Sequence, residues 1–149
     1  KYLKNIIEAI SELSNRFGKK VIYPMHPRTK SKVSTINLPD TVTFINPLGF
    51  YDFNKLLKES FCVLSDSGTA AEEGLFYKVP NVSLRMATER QETLESGATI
   101  VSGLEIEDII NSVETAVSMK WEARYQLEEN FSPSSVVINA LRTKITNFF

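Results

Sequence analysis

The sequence predicts an α/β protein built on a parallel sheet with helices on both faces, and two observations carry that expectation. Short runs of β-prone residues alternate with amphipathic, helix-prone segments along most of the chain. Within the runs nearly every residue is apolar, where a strand with one wet face would alternate, and such runs suit a parallel sheet covered on both sides. Parallel neighbours also need crossovers, which the helical segments supply. The expected architecture is a three-layer Rossmann-like sandwich with a parallel sheet of about five strands.

From the N-terminus, Leu3, Ile6, Ile7, Ile10, Leu13 and Phe17 fall on one helical face, and Gly18 follows where a C-terminal cap belongs. Val21-Ile22-Tyr23, ended by Pro24, and Val42-Thr43-Phe44-Ile45, ended by Asn46-Pro47, read as buried strands. Residues 28–36 between them could make a short polar helix, and residues 51–60, with Phe53, Leu56 and Leu57, read as another. Next come the apolar run Phe61-Cys62-Val63-Leu64, a helix over 69–77, the run from Val79 to Leu84, a polar segment, the run Ala98-Thr99-Ile100-Val101, and a long helix from 106 to about 119. After an acidic, helix-prone run at 121–130, Ser132-Pro133-Ser134-Ser135 breaks the chain and caps a last amphipathic helix at about 133–148, carrying Val136, Val137, Leu141 and Ile145. No linker interrupts this order, so residues 1–149 are expected to form one domain.

Composition narrows the function classes. The chain of 149 residues, 42% hydrophobic and 23% charged, is large enough to bury one core. Its 17 Lys and Arg against 18 Asp and Glu supply no basic field to concentrate a polyanion, so nucleic acid is not an expected partner. No stretch approaches the roughly 20 apolar residues of a membrane helix, and no signal-peptide pattern opens the chain, so a membrane is not an expected partner either. The one cysteine, Cys62, excludes an internal disulfide and a thiolate-rich metal site, and reads as a buried, inert thiol suited to a reducing cytoplasm. Beginning at Lys1, without Met and already in a helical pattern, the chain reads as a piece of a longer protein.

The segment Phe61-Cys62-Val63-Leu64-Ser65-Asp66-Ser67-Gly68-Thr69-Ala70-Ala71-Glu72-Glu73 reads as strand, tight turn and helix. In an open parallel sheet, ligands sit outside the carboxyl ends of the strands, where this turn falls. Ser67 suits an N-cap, and Gly68 removes the side chain that would keep a ligand from the first free N–H groups. Those donors and the helix dipole favour a phosphate. Either Glu72 or Glu73, in the second turn, could aim a carboxylate back over that end. Such a carboxylate would be repelled by phosphate but would accept bonds from ribose hydroxyls.

Other strand ends add to the turn. Met25-His26-Pro27-Arg28 follows the first strand, Pro47-Leu48-Gly49-Phe50 the second, and Thr88-Glu89-Arg90 the strand ending at Leu84. In a parallel sheet these segments converge on the edge that holds Ser67, and a histidine, two arginines and an aromatic ring suit an anionic, base-bearing ligand. Taken singly, His26 could be a loop histidine, Phe53 core and Arg90 a solvated charge; their shared edge favours the site.

The run SDSGTAAEEGLFYKVPNVSLRMATERQETLESGATIVSG, Ser65 to Gly103, resembles the signature of the non-hydrolysing UDP-N-acetylglucosamine 2-epimerase family. There a DSGG-x-x-EE turn and helix precede a K-P-V strand, T-E-R-P-E and a G-T-x-x-L-V-G strand. VIYPMHPRT and INPLGFYDF extend the resemblance over essentially the whole chain. It implies the C-terminal half of a glycosyltransferase-B-like two-domain fold, with substrate in the cleft between the domains. It also implies that Ser67 and Gly68, with Thr69 beside them, hold the diphosphate, that Glu73 binds the ribose hydroxyls, that Phe53 lies by the uracil and that Arg90 faces the diphosphate and sugar. His26 and Arg28 would line the cleft.

Three residues depart from the family pattern: Thr69 for a second Gly, Gln91 for the Pro of T-E-R-P-E, and His26-Pro27-Arg28-Thr29 for H-x-N-P. The first and third resemble the branch that acts on UDP-2-acetamido-2,6-dideoxyhexoses on the way to UDP-N-acetyl-L-fucosamine. The implied reaction inverts C2 of a UDP-N-acetyl-hexosamine by elimination and re-addition of UDP, for capsular or cell-surface polysaccharide, without a cofactor or metal. Its acid–base carboxylates belong to an N-terminal domain ahead of Lys1, and the resemblance allows a homodimer. The alternatives are the nucleotide-sugar-binding domain of a glycosyltransferase and a nucleotide-sensing module.

Overall fold

The computed structural model describes residues 2–27, 29–30, 38–87, 97, 99–119, 134 and 138. In chain order the elements are α1 (Tyr2–Phe17), β1 (Val21–Pro24), β2 (Val42–Ile45), α2 (Phe50–Lys58), β3 (Val63–Ser65), α3 (Gly68–Tyr77), β4 (Asn81–Ser83), β5 (Thr99–Val101) and α4 (Ile106–Ser118). The alternation expected from the sequence is present, and every strand pairing is parallel. The strands pair as β1-β2 and as β3-β4-β5, with no ladder between the two groups among the described residues. At three or four residues each, the strands leave few backbone groups to extend a ladder. Side chains bridge the seam instead: the Phe17 and Phe61 rings lie 5.2 Å apart, and Lys19 Nζ sits 5.4 Å from the Phe61 ring.

Helix α1 buries Ile7, Ala9, Ile10 and Leu13, as its periodicity requires, while Ile6 and Phe17 are partly buried against the core. With α4, which buries Ile109, Ile110, Val113 and Ala116, it packs over β4, where Val82 and Leu84 complete the core cluster. At about 25 cal/mol per Å² of apolar surface, this cluster is the main stabilising term in the fold. A short helix also begins after His26, whose carbonyl accepts from the Thr29 and Lys30 N–H groups at 2.8 and 3.2 Å. Of the expected polar helix over 28–36 only residues 29 and 30 are described, both helical, with Pro27, a favoured first helical residue, ahead of them; the rest lies outside the described residues. In the expected C-terminal helix, the described residues Ser134 and Ile138 are helical.

Strand side chains alternate between faces, so while Val82 meets α1 and α4, its neighbour Asn81 points to the other face and meets α3. Asn81 is fully buried, and its Nδ2 donates to the Ala70 carbonyl at 3.0 Å. Gly74 lets the helix come this close: a Cβ there would stand 3.1 Å from Asn81 Nδ2, 3.3 Å from Asn81 Cβ and 3.4 Å from the Val79 carbonyl oxygen. Neither a hydrogen-bonded buried amide nor the backbone can retreat cheaply. Gly74→Val is expected to destabilise the chain by about 2 kcal/mol, read as a lower denaturant midpoint at unchanged slope.

Cys62 is partly buried against the core, and burial pushes its thiol up to about 12 from an ordinary 9.0, against a smaller lowering by a backbone hydrogen bond of Val63. A raised acid pKa means that folding favours the neutral thiol. The associated stability is fully present below pH 9.0 and is lost as pH climbs through about 12. Tyr23, raised by burial first and by the charge of Asp66 second, adds a loss in the same alkaline range. Cys62→Ala should therefore flatten, without abolishing, the fall in unfolding free energy on the alkaline side; an unchanged slope against pH would contradict this assignment.

Candidate functional site

The parallel register brings the strand ends together. Ser65 and Ser83 are paired, as are Ser83 and Val101. Beyond them, Leu84 N–H donates to Ser65 O, Ser102 N–H to Ser83 O, and Gly103 N–H to Arg85 O, at 2.9 to 3.0 Å. Across the other group, Met25 N–H donates to Ile45 O at 2.9 Å. The loops that follow β3, β4 and β5 are thus stitched into one rim, and α3 rises from it.

Ser67 occupies the N-cap position of α3 with extended backbone, φ −83° and ψ 131°, but its side chain makes no bond to the helix backbone. Its hydroxyl lies 2.9 Å from Thr69 Oγ1, and its N–H donates to Ser65 Oγ at 3.0 Å. The position matches the expectation and the cap bond does not: the Thr69 hydroxyl competes for Ser67, which leaves the first amides of α3 uncapped by it. The first turn carries no acidic residue to offset the helix dipole. Gly68 is the first helical residue and is not among the glycines of positive φ, which are Gly18, Gly97 and Gly103. Conformational freedom is therefore not what a glycine supplies there.

Thr69, Glu73 and Tyr77 recur every four residues and share one face of α3. Tyr77 Oη donates to Asn54 Oδ1 of α2 at 2.9 Å, and Asn54 Nδ2 donates in turn to Phe50 O at 2.8 Å. That chain of bonds turns the Glu73 stripe towards α2, which carries Phe53 next to Asn54. Of the two carboxylates left open by the helical spacing, half-buried Glu73 is on this stripe and exposed Glu72 is off it. Phe53 is also half-buried, and its N–H donates to Gly49 O at 2.9 Å in the first turn of α2.

Ser67, Gly68, Thr69, Glu73 and Phe53 are thereby carried by two adjoining helices. His26 is exposed just beyond β1. Asp66 is close enough to Tyr23 of β1 to raise its phenol pKa behind the larger effect of burial, so the β1 end lies beside the turn. Arg28 and Arg90 fall outside the described residues. One cation at the rim escaped the sequence reading: Arg85, whose Nε donates to the Asp66 carbonyl at 2.5 Å. The available signal was its place as the first charge after a strand that ends at the binding edge. The arrangement gathers the first amides of α3, to which Ser67 gives no side-chain cap, and a cation at one rim, with a carboxylate and an aromatic ring one helical turn or more away.

Residues 1–134 match the family model described as UDP-N-acetylglucosamine 2-epimerase. A UDP-N-acetylglucosamine 2-epimerase of Methanocaldococcus jannaschii is 40% identical over 124 residues, which cover 79% of this chain and 34% of the relative. A UDP-2,3-diacetamido-2,3-dideoxy-D-glucuronate 2-epimerase of Pseudomonas aeruginosa is 33% identical over 115 residues, covering 77% and 32%. Among solved structures, the Methanocaldococcus jannaschii UDP-GlcNAc 2-epimerase in complex with UDP-GlcNAc and UDP superposes with a TM-score of 0.74 at 38% identity, covering 80% of this chain and 34% of that one. The chain thus spans about a third of the length of these relatives. On the match of most of its residues and of its fold, this chain belongs to the UDP-N-acetylglucosamine 2-epimerase family.

Proposed function

We propose that the chain is the UDP-binding, C-terminal half of a non-hydrolysing UDP-N-acetyl-hexosamine 2-epimerase. The observation that carries this reading is the uncapped, carboxylate-free first turn of α3 at the carboxyl edge of the parallel strands. The diphosphate sits on the amides that follow Ser67, with the Ser67 and Thr69 hydroxyls and Arg90 beside it. Glu73 accepts from the ribose hydroxyls, Phe53 packs by the uracil, and His26 and Arg28 line the cleft. A UDP complex of a relative with the same fold supports the ligand class.

Inverting C2 requires removal of its proton, departure of UDP from C1, return of the proton on the opposite face and re-addition of UDP. This half of the protein grips the leaving group during that interval. The open amides and nearby cations stabilise the charge that develops on the departing diphosphate, which in a water-poor cleft lowers the barrier by several kcal/mol, on the order of the effect of an oxyanion-hole donor. The proton-transfer carboxylates are supplied by the N-terminal domain of the longer protein, so this chain binds UDP and turns nothing over. The product serves a capsular or cell-surface polysaccharide and is made in the cytoplasm, by an enzyme able to act as a homodimer. Thr69 in place of the family's second glycine, with the HPRT segment, supports a 2-acetamido-2,6-dideoxyhexose as the sugar.

In a thermal-shift comparison, UDP should raise the melting temperature of the 149-residue chain more than ADP or GDP does, and Glu73→Ala should weaken UDP binding about tenfold, the loss of one or two ribose hydrogen bonds. Equal shifts with all three nucleotides would defeat the uridine assignment. For the longer protein, deuterium should enter C2 of the sugar in heavy water, whereas a glycosyltransferase would leave that carbon unlabelled.

A further inference from the structure

Arg85 stands where the three rim loops meet. Its Nε donates to the carbonyl of Asp66, the residue before the N-cap of α3. Its own N–H donates to Ser83 O, and its carbonyl accepts from Gly103 N–H, both at 2.9 Å. Gly103 reaches that carbonyl with φ +74°, a conformation that strains any residue with a side chain. The backbone of Arg85 is therefore held by its own strand β4 and by the loop after β5, and its side chain reaches the loop after β3.

The electrostatics of this placement are unusual for a structural arginine. Among the described residues Arg85 makes no ion pair, and its side-chain bond is to a neutral carbonyl. The guanidinium is thus fixed within two residues of the positive end of α3, where a cation is destabilising. An anion placed over the turn reverses that sign, since amides, dipole and guanidinium then all attract it. One N–H of the fork is spent on Asp66, and among the described residues the outer N–H groups take no further bond, which leaves them to a ligand.

Building on the nucleotide reading above, we propose that Arg85 belongs to the diphosphate site in two capacities: through Nε it fixes the peptide that leads into α3, and through its outer N–H groups it binds the phosphate oxygens. A lysine cannot do both, because one ammonium must choose between the Asp66 carbonyl and the phosphate.

The test is calorimetric titration of the 149-residue chain and its Arg85→Gln and Arg85→Lys variants with UDP, UMP and uridine, the weakest ligand by competition against UDP. Arg85→Gln should lose about tenfold or more in UDP affinity and less in UMP affinity, with uridine held within roughly twofold, and Arg85→Lys should fall between it and the parent. A loss graded by phosphate number is the readout that general loosening of the fold would not produce. UDP affinity within roughly twofold of the parent in Arg85→Gln, or uridine falling in parallel with UDP, would overturn the proposal. If Arg85→Gln does not fold, the UDP-to-uridine affinity ratio of Arg85→Lys decides: a lowered ratio supports the proposal and an unchanged one refutes it. Failure of the parent chain to bind UDP would instead refute the nucleotide reading, and this proposal with it.

Discussion

Asn81 sits fully buried in the central strand of the β3-β4-β5 group, where an unpaired amide would cost about 1–3 kcal/mol. It meets that demand by donating to the Ala70 carbonyl, and it can do so only because Gly74, one turn further along α3, presents no side chain. The position of α3 follows from this contact. So does the point at which its first amides emerge from the rim, and so does the stripe that carries Glu73. A polar group in a core is ordinarily a liability; here it fixes one helix in one place.

A second consequence runs through the turn. With its first turn anchored on β4 through Ala70 and its last turn tied to α2 by the Tyr77–Asn54 bond, α3 cannot slide to improve its own N-terminus. The Ser67 hydroxyl goes to Thr69 rather than to the helix amides, and Arg85 adds positive charge to an end that is already positive. Both features concentrate positive charge at the turn, which is what the proposed diphosphate would meet. The pattern is that of a binding site maintained by a scaffold whose stability comes from elsewhere, chiefly the α1, β4 and α4 core.

The sequence made the elements legible because apolar periodicity is a local property. The face of α1, the crossover helices and the uniformly apolar strand runs all follow from spacing between near neighbours. The division of the strands into two hydrogen-bonded groups was not legible, since pairing depends on how closely α1 and the Phe17–Phe61 contact bring the groups together. At the site, the turn was readable from Ser65 to Thr69, but residue type placed Ser67 in a capping bond that Thr69 prevents. Helical spacing alone leaves Glu72 and Glu73 open, and the Tyr77–Asn54 bond, which joins residues far apart in the chain, turns the Glu73 face towards α2. Arg85 looks like any solvated charge until the rim is assembled around it.

The central claim is that the first turn of α3 is held open for a diphosphate. It is tested most directly by following the backbone amide resonances of the 149-residue chain as UDP is added. The account predicts that Gly68, Thr69 and Ala70 move furthest, in step with saturation, because their N–H groups gain a charged acceptor. Saturation with UDP while those three amides stay in place, and the shifts gather elsewhere, would contradict it.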